Sequence, residues 1–176
     1  MVRVTLPDGV ELRLARPDEA EAVARLHIAC WREAYGPIAA PGLLAAHLAD
    51  EAGRRDRWRS QIEAGQAPLI AVVADEAVGF VKVGASQAVD APTPLTLYAL
   101  YVRAAWHGSG IGNALFEAGL GDRAAHLWVL EDNARARAFY DRRGFRPEGT
   151  RKKYVPLDVW ELQLVRTDSV PAPSTG

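Results

Sequence analysis

The sequence predicts a single domain built on a mixed α/β sheet whose strand pairs are mostly antiparallel, and three observations carry that reading. Stretches with strand periodicity are joined through stretches with helical periodicity, which allows parallel pairs. Two apolar runs in mid-chain, Leu69 to Ala74 and Val78 to Val83, are separated only by a tight turn at Asp75-Glu76 and must pair antiparallel. A turn punctuated by glycine, His107-Gly-Ser-Gly-Ile-Gly112, passes from an apolar run directly into a helical one. The hairpin in the middle excludes a long doubly wound sheet.

The elements follow in order. Pro7-Asp8-Gly9 is a turn signal, and Val10 to Ala15 alternates apolar and polar with the period of a strand, either the first strand or the second half of a hairpin with Val2 to Leu6. Pro17-Asp18-Glu19 opens a helix with acidic residues where the dipole favours them. Ala20, Val23, Ala24, Leu26, His27, Cys30 and Trp31 give it an apolar face, and it should end before Gly36-Pro37. Pro41 to Gly65 is helical in two pieces, the charged run after Glu51 reading as a solvated face. Beyond the hairpin and a loop from Ala88 to Pro94, Leu95 to Val102 is the strand that enters the glycine turn, with a helix from Asn113 to Leu120 behind it. Ala125 to Leu130 is a strand, Asn133 to Arg143 a helix stopped at Gly144, and strands near Arg146 to Tyr154 and Val159 to Arg166 close the domain. The domain spans residues 1–166, and 167–176, rich in Pro, Ser and Thr, reads as a disordered tail.

Composition narrows the function classes. With 21 basic and 22 acidic side chains, the chain shows no electrostatic footprint for nucleic acid or an anionic membrane. No apolar run approaches the roughly 20 residues of a membrane span, and the amino terminus lacks a signal core. One cysteine cannot form an internal disulfide, so a reducing cytoplasm is the expected location. Cys30 reads as a small buried hydrophobe, with a catalytic thiol as the alternative.

The chemistry concentrates at two places. Gly108, Gly110 and Gly112 let the backbone adopt positive φ and approach a ligand, while successive amides and a helix N-terminus favour an anion. A P-loop would need Lys and Ser/Thr where Asn113 and Ala114 stand, and a dinucleotide fingerprint would need glycine at Asn113, so both fail. Taken alone, the turn is equally an ordinary strand-to-helix connection. In the later helix, Asn133 and Tyr140 are seven positions apart, and at about 100° per residue they fall within roughly 20° on one face.

Together these residues resemble the GNAT superfamily of acyl-CoA-dependent N-acetyltransferases. The matching stretches are Leu100-Tyr-Val102, His107 to Gly112 with Leu115, and Val129 to Asn133 continuing through Ala136, Phe139, Tyr140 and Gly144-Phe145. The resemblance implies a three-layer fold with a splayed central sheet flanked by helices. It implies acetyl-CoA as cosubstrate, no metal, and pantetheine between the fourth and fifth strands. Backbone groups of Leu100 and Val102, flanking Tyr101, would pair with pantetheine. The loop His107, Gly108, Ser109, Gly110, Ile111 and Gly112 would take the pyrophosphate, and Asn133, Ala136, Phe139 and Tyr140 would line the pantetheine and thioester. The implied activity is acetyl transfer to a primary amine of a small molecule or peptide by direct attack in a ternary complex. The alternative is a non-catalytic acyl-CoA sensor or scaffold; a homodimer is left open.

Two residues depart from the family pattern. His107 stands where Arg or Gln is usual, and adds charge only when protonated. Thr96 stands at the start of the fourth strand, where many relatives carry a glutamate proposed as base. Acetyl transfer also needs an oxyanion contact, for which the Val102 N–H is the candidate, and a proton for the thiolate, for which Tyr140 is the candidate general acid. No base is singled out among Glu33, Tyr35, Asp90, Tyr98 and Glu131. The resemblance places the acceptor near Trp31, Glu33, Tyr35, Tyr98 and Tyr154, although Trp31 and Tyr35 equally suit a core pair. The basic run Arg151-Lys-Lys153 either attracts an anionic acceptor or keeps a hairpin tip soluble.

Overall fold

The computed structural model describes residues 6–167. Seven strands form one sheet in the order β1-β2-β3-β4-β5-β7-β6. They are β1 (Val10–Leu14), β2 (Leu69–Val73), β3 (Glu76–Ala85), β4 (Leu95–Val102), β5 (Ala125–Leu130), β6 (Arg146–Tyr154) and β7 (Val159–Arg166). The helices are α1 (Ala20–Tyr35), α2 (Pro41–Leu48), α3 (Glu51–Glu63), α4 (Ile111–Gly119) and α5 (Ala134–Asp141). Helices α1 and α3 pack on one face of the sheet through Val23, Leu26, Trp58, Ile70 and Phe80, and α4 covers the other through Ile111, Leu115, Ala71 and Val81. These are the three layers the sequence implies.

Every sheet pairing is antiparallel except β4 with β5, which are parallel and joined at one register position, Thr96 opposite His126. Beyond that point the two strands diverge, so the sheet is splayed along the second half of β4. Tyr98 is an extra residue in β4, because the register with β3 steps from Lys82–Ala99 to Val83–Leu97. A bulge of this kind bends a strand and raises its twist, which turns β4 away from β5.

The central hairpin turn lies at Ala74 and Asp75, both at positive φ, and β3 starts at Glu76. Two positive φ values in succession match the twist of the flanking strands. The charged helix α3 is not solvated all round: Arg54 is buried beside Trp58 and Ile62, its guanidinium 5.5 Å from the centre of the Trp31 ring. The possible partner strand at Val2 to Leu6 lies almost wholly outside the described residues, as does the expected tail beyond Thr167.

One ion pair fixes how α1 leaves the sheet. Arg13 on β1 donates both terminal nitrogens to Glu19, at 2.7 and 2.6 Å, and Glu19 also accepts the Arg16 amide at 2.8 Å. The Arg13 hydrogen bond is the largest influence lowering the Glu19 carboxyl from 4.5 to about 2. A carboxyl depressed by folding contributes stability above its unfolded pKa and loses it as the pH falls toward the folded one. Glu19→Gln is therefore expected to cost on the order of 1–2 kcal/mol at pH 7. That difference should shrink between pH 4.5 and about 2 in denaturant titrations; a gap that persists at pH 2 would refute it.

Candidate active site

The site lies where the sheet opens. The Arg103 amide donates to Val78 O on β3 at 2.9 Å, so the backbone of Arg103 faces β3. Strand alternation then turns Tyr101 toward β3 as well, and points the N–H and C=O of Leu100 and Val102 into the gap. A cleft of about 280 Å³ occupies that gap, lined by Leu100, Tyr101, Val102, His107, Gly112, Asn133, Arg135, Ala136, Phe139 and Tyr140, among others.

The glycine turn is more economical than its sequence suggests. Gly108 and Gly110 have φ of 83° and 93°, whereas Gly112 lies inside α4 without positive φ. A Cβ at Gly112 would only touch Phe139 and Val102 at ordinary contact distance. The Ser109 amide donates to Trp106 O, and the Ile111 amide donates to Ser109 Oγ. Among the described residues, the amides of Gly108, Gly110, Gly112 and Asn113 donate to no protein acceptor. Alternate amides are spent on the turn, and those of the three glycines remain for an anion, as a phosphate cradle requires.

His107 does not stand alone. Its Nε2 donates to Val102 O at 2.9 Å, while Arg135 Nη1 approaches both ring nitrogens. The fixed positive charge beside the glycine turn is therefore Arg135, from the first turn of α5, and burial lowers its pKa from the usual 12.5. Arg135 carried no role in the sequence pattern, which gave only a helix from Asn133 to Arg143. Replacing it with alanine should weaken CoA binding roughly fivefold, as expected for about 1 kcal/mol from one partly exposed ion contact; unchanged affinity by calorimetry would count against it.

Asn133 is the N-cap of α5, its Oδ1 accepting from the Ala136 amide at 3.1 Å, and its side chain still lines the cleft. Tyr140 lies on the cleft wall between Phe139 and Phe145, at ring distances of 5.4 and 5.7 Å. Burial pushes its hydroxyl above the usual tyrosine pKa, the neighbouring Tyr35 adds to that, and Arg143 opposes it.

A second recess, of about 150 Å³, opens on the other side of the same wall. Tyr35, Leu97, Tyr98, Tyr101 and Trp128 border both spaces. The rest of its lining is Trp31, Thr96, Leu130, Tyr154, Leu157 and Glu161. Trp31 and Tyr35 are both a packed pair, 4.9 Å apart edge to face, and part of this lining. The Tyr35 and Tyr101 hydroxyls are hydrogen-bonded at 2.6 Å, and burial pushes Tyr35 to about 12.

Most of the base candidates are engaged elsewhere. Glu33 accepts from Arg103 Nε at 2.9 Å and from the Ala104 amide at 2.7 Å, tying α1 to the end of β4. Glu131 pairs with Arg151 at 2.5 Å, Tyr98 donates to Ala85 O at 2.6 Å, and Asp90 is exposed and borders neither space. Cys30 is buried and pushed up to about 12 by desolvation, which suits a packed thiol rather than a nucleophile. Nor is the basic run free: Lys152 reaches Glu161 at 3.6 Å, and Lys153 reaches Asp158 at 2.8 Å. Glu161 was missed in the sequence; burial raises its carboxyl above the usual range, and the Lys152 ammonium lowers it.

Residues 66–147, which hold both strands of the splay, the glycine turn and α5, match the model of the acetyltransferase (GNAT) domain. Over that stretch the chain is similar to GNAT acetyltransferases. It is 28% identical over 160 residues to the protein named probable N-acetyltransferase in Mycobacterium tuberculosis H37Rv, covering 86% of this chain and 88% of that protein. The GNAT fold is shared with the PaiA N-acetyltransferase of Thermoplasma acidophilum in complex with coenzyme A, at TM-score 0.67 and 16% identity over 88% of this chain and 97% of that one. YncA from Salmonella typhimurium, with its cofactor acetyl-CoA, is similar at TM-score 0.65 and 15% identity over 95% and 99%.

Proposed function

We propose that the protein transfers the acetyl group of acetyl-CoA to a primary amine of a small molecule or peptide, by direct attack in a ternary complex. The observation that carries this is the shared wall between the two spaces. Direct transfer requires donor and acceptor to meet at contact distance, and two recesses bordering the same residues allow it. A sensor or scaffold would need only the first.

The cosubstrate supplies the activated acetyl group, and the residues of the chain fit it. The free glycine amides and Arg135 hold the pyrophosphate, and the gap-facing backbone of Leu100 pairs with pantetheine. Val102 N–H points into the same gap and stabilises the negative charge that develops on the carbonyl oxygen. Tyr140 keeps its proton at neutral pH and passes it to the leaving sulfur. In the second recess, aromatic walls hold the body of the acceptor, and the Glu161 carboxylate draws its positive charge.

The test is release of free thiol from acetyl-CoA with a panel of polyamines, aminoglycosides, amino acids and peptides with free N-termini. Transfer to at least one is expected. CoA binding without transfer to any of them would instead support the sensor reading. With a responsive amine, Glu161→Gln should raise KM about tenfold with a smaller change in kcat; an unaltered KM would remove Glu161 as the anchor.

A further inference from the structure

Three of the buried polar side chains, Thr93, Thr96 and His126, form one hydrogen-bonded chain at the point where the sheet divides. Thr93 Oγ1 lies 2.9 Å from His126 Nδ1, and Thr96 Oγ1 lies 3.0 Å from His126 Nε2. The directions follow from proton supply. Thr93 donates its single hydroxyl proton to Leu95 O at 3.0 Å, so toward His126 it can only accept. Nδ1 therefore carries the ring proton, and Nε2 presents a lone pair that accepts from the Thr96 hydroxyl. Thr96 Oγ1, its own proton given to the ring, retains acceptor capacity, and Thr96 lines the second recess.

Resting on the transfer reading above, we infer that Thr96 is the group that takes the proton from the attacking amine, with His126 as the positioning residue that receives the Thr96 proton in turn. The step balances. As the amine nitrogen bonds the acetyl carbon, its surplus proton moves to Thr96 Oγ1 while the Thr96 hydroxyl proton moves to His126 Nε2. The C–S bond breaks, and the sulfur takes a proton from Tyr140. His126, now doubly protonated and still donating to Thr93, returns its proton to solvent, and Tyr140 regains one. The net change is amine plus thioester to amide plus thiol.

The surroundings suit that role. Burial keeps the His126 ring below its ordinary 6.5, opposed by its contact with Thr93, so the ring is neutral and receptive at pH 7. The residue opposite it on β7 is the apolar Val165, while Arg166 stands opposite Ala125 and donates to the carbonyls of Arg143, Gly121 and Arg123. The titratable groups facing the recess are Glu161 from β7, Tyr154 from the end of β6, Tyr35 from α1, and Tyr98 and Tyr101 from β4. Of these Glu161 is the competing base, and the experiment separates the two.

The test is the pH profile of kcat/KM for the first panel amine that wild type acetylates, in wild type, Thr96→Val, Thr96→Ser and Glu161→Gln. Thr96→Val, close in shape but without the hydroxyl, should fall about 10²-fold or more and lose the acid limb set by His126, with CoA affinity kept. Thr96→Ser should recover most of that loss, and Glu161→Gln should keep the limb. Nitrogen-15 NMR of His126 in wild type should show a neutral ring protonated at Nδ1 at pH 7. The relay is overturned if Thr96→Val superimposes on wild type, if its loss leaves the acid limb in place, or if the limb disappears in Glu161→Gln instead. Wild type that acetylates no amine would overturn the transfer reading and the relay together.

Discussion

Tyr140→Phe is expected to lower turnover by about 10²- to 10⁴-fold, the loss that follows removal of a general acid. Acetyl-CoA affinity should change little, because the ring and its contacts with Phe139 and Phe145 remain. Among the described residues no protein group hydrogen-bonds the Tyr140 hydroxyl, so deleting it orphans no partner and costs little in folding. Its pKa is raised, and a group that holds its proton at neutral pH is a donor toward a thiolate rather than a base toward an amine. Single-turnover rates with calorimetric CoA binding separate the cases. Unchanged chemistry would remove Tyr140 as acid, and a raised dissociation constant without a slower step would assign the hydroxyl to binding instead.

Most strands were legible from their apolar periodicity, although β6 is polar and exposed along nearly its whole length. The strand entering the glycine turn and the stop at Gly144 lie where turn chemistry places them, and the hairpin turn falls one residue earlier than Asp75-Glu76. What periodicity could not show was the divergence of β4 from β5, which depends on one bulge at Tyr98 and a single register contact between residues 30 apart.

The site was legible on its backbone side and illegible on its charged side. The glycines mark the turn, where Gly108 and Gly110 need positive φ, and the free amides there are those of Gly108, Gly110, Gly112 and Asn113. Arg135 and Glu161, by contrast, sit in stretches whose pattern assigns them to solvent: Glu161 alternates with Trp160 and Leu162 along β7. The far face of that strand is not open water but the second recess, a fact of tertiary packing. His126 was hidden for the same reason, reading as one polar residue in an apolar strand until Thr93 and Thr96 are brought against it.

Phe116→Ala should have the largest effect on folding. Phe116 is 1% exposed and fills the space between α4, α5 and β7, its ring 5.9 Å from Phe139 and 6.3 Å from Phe145. The Arg143 and Arg166 guanidiniums each lie 5.2 Å from the ring centre, so truncation removes aromatic and cation contacts together. Burying a phenylalanine and then deleting it to alanine costs about 3–5 kcal/mol, because rigid neighbours do not collapse into the cavity. For a domain of this size that lowers the melting temperature by roughly 6–20 °C. The same cavity lies under the helix that carries Arg135, Asn133 and Tyr140, so the loosened α5 should also bind CoA more weakly. Saturating CoA then stabilises the variant less than it stabilises wild type, since ligand stabilisation follows affinity. A variant with wild-type melting, or one that melts early yet gains as much from CoA as wild type, would show that Phe116 does not hold α5 in place.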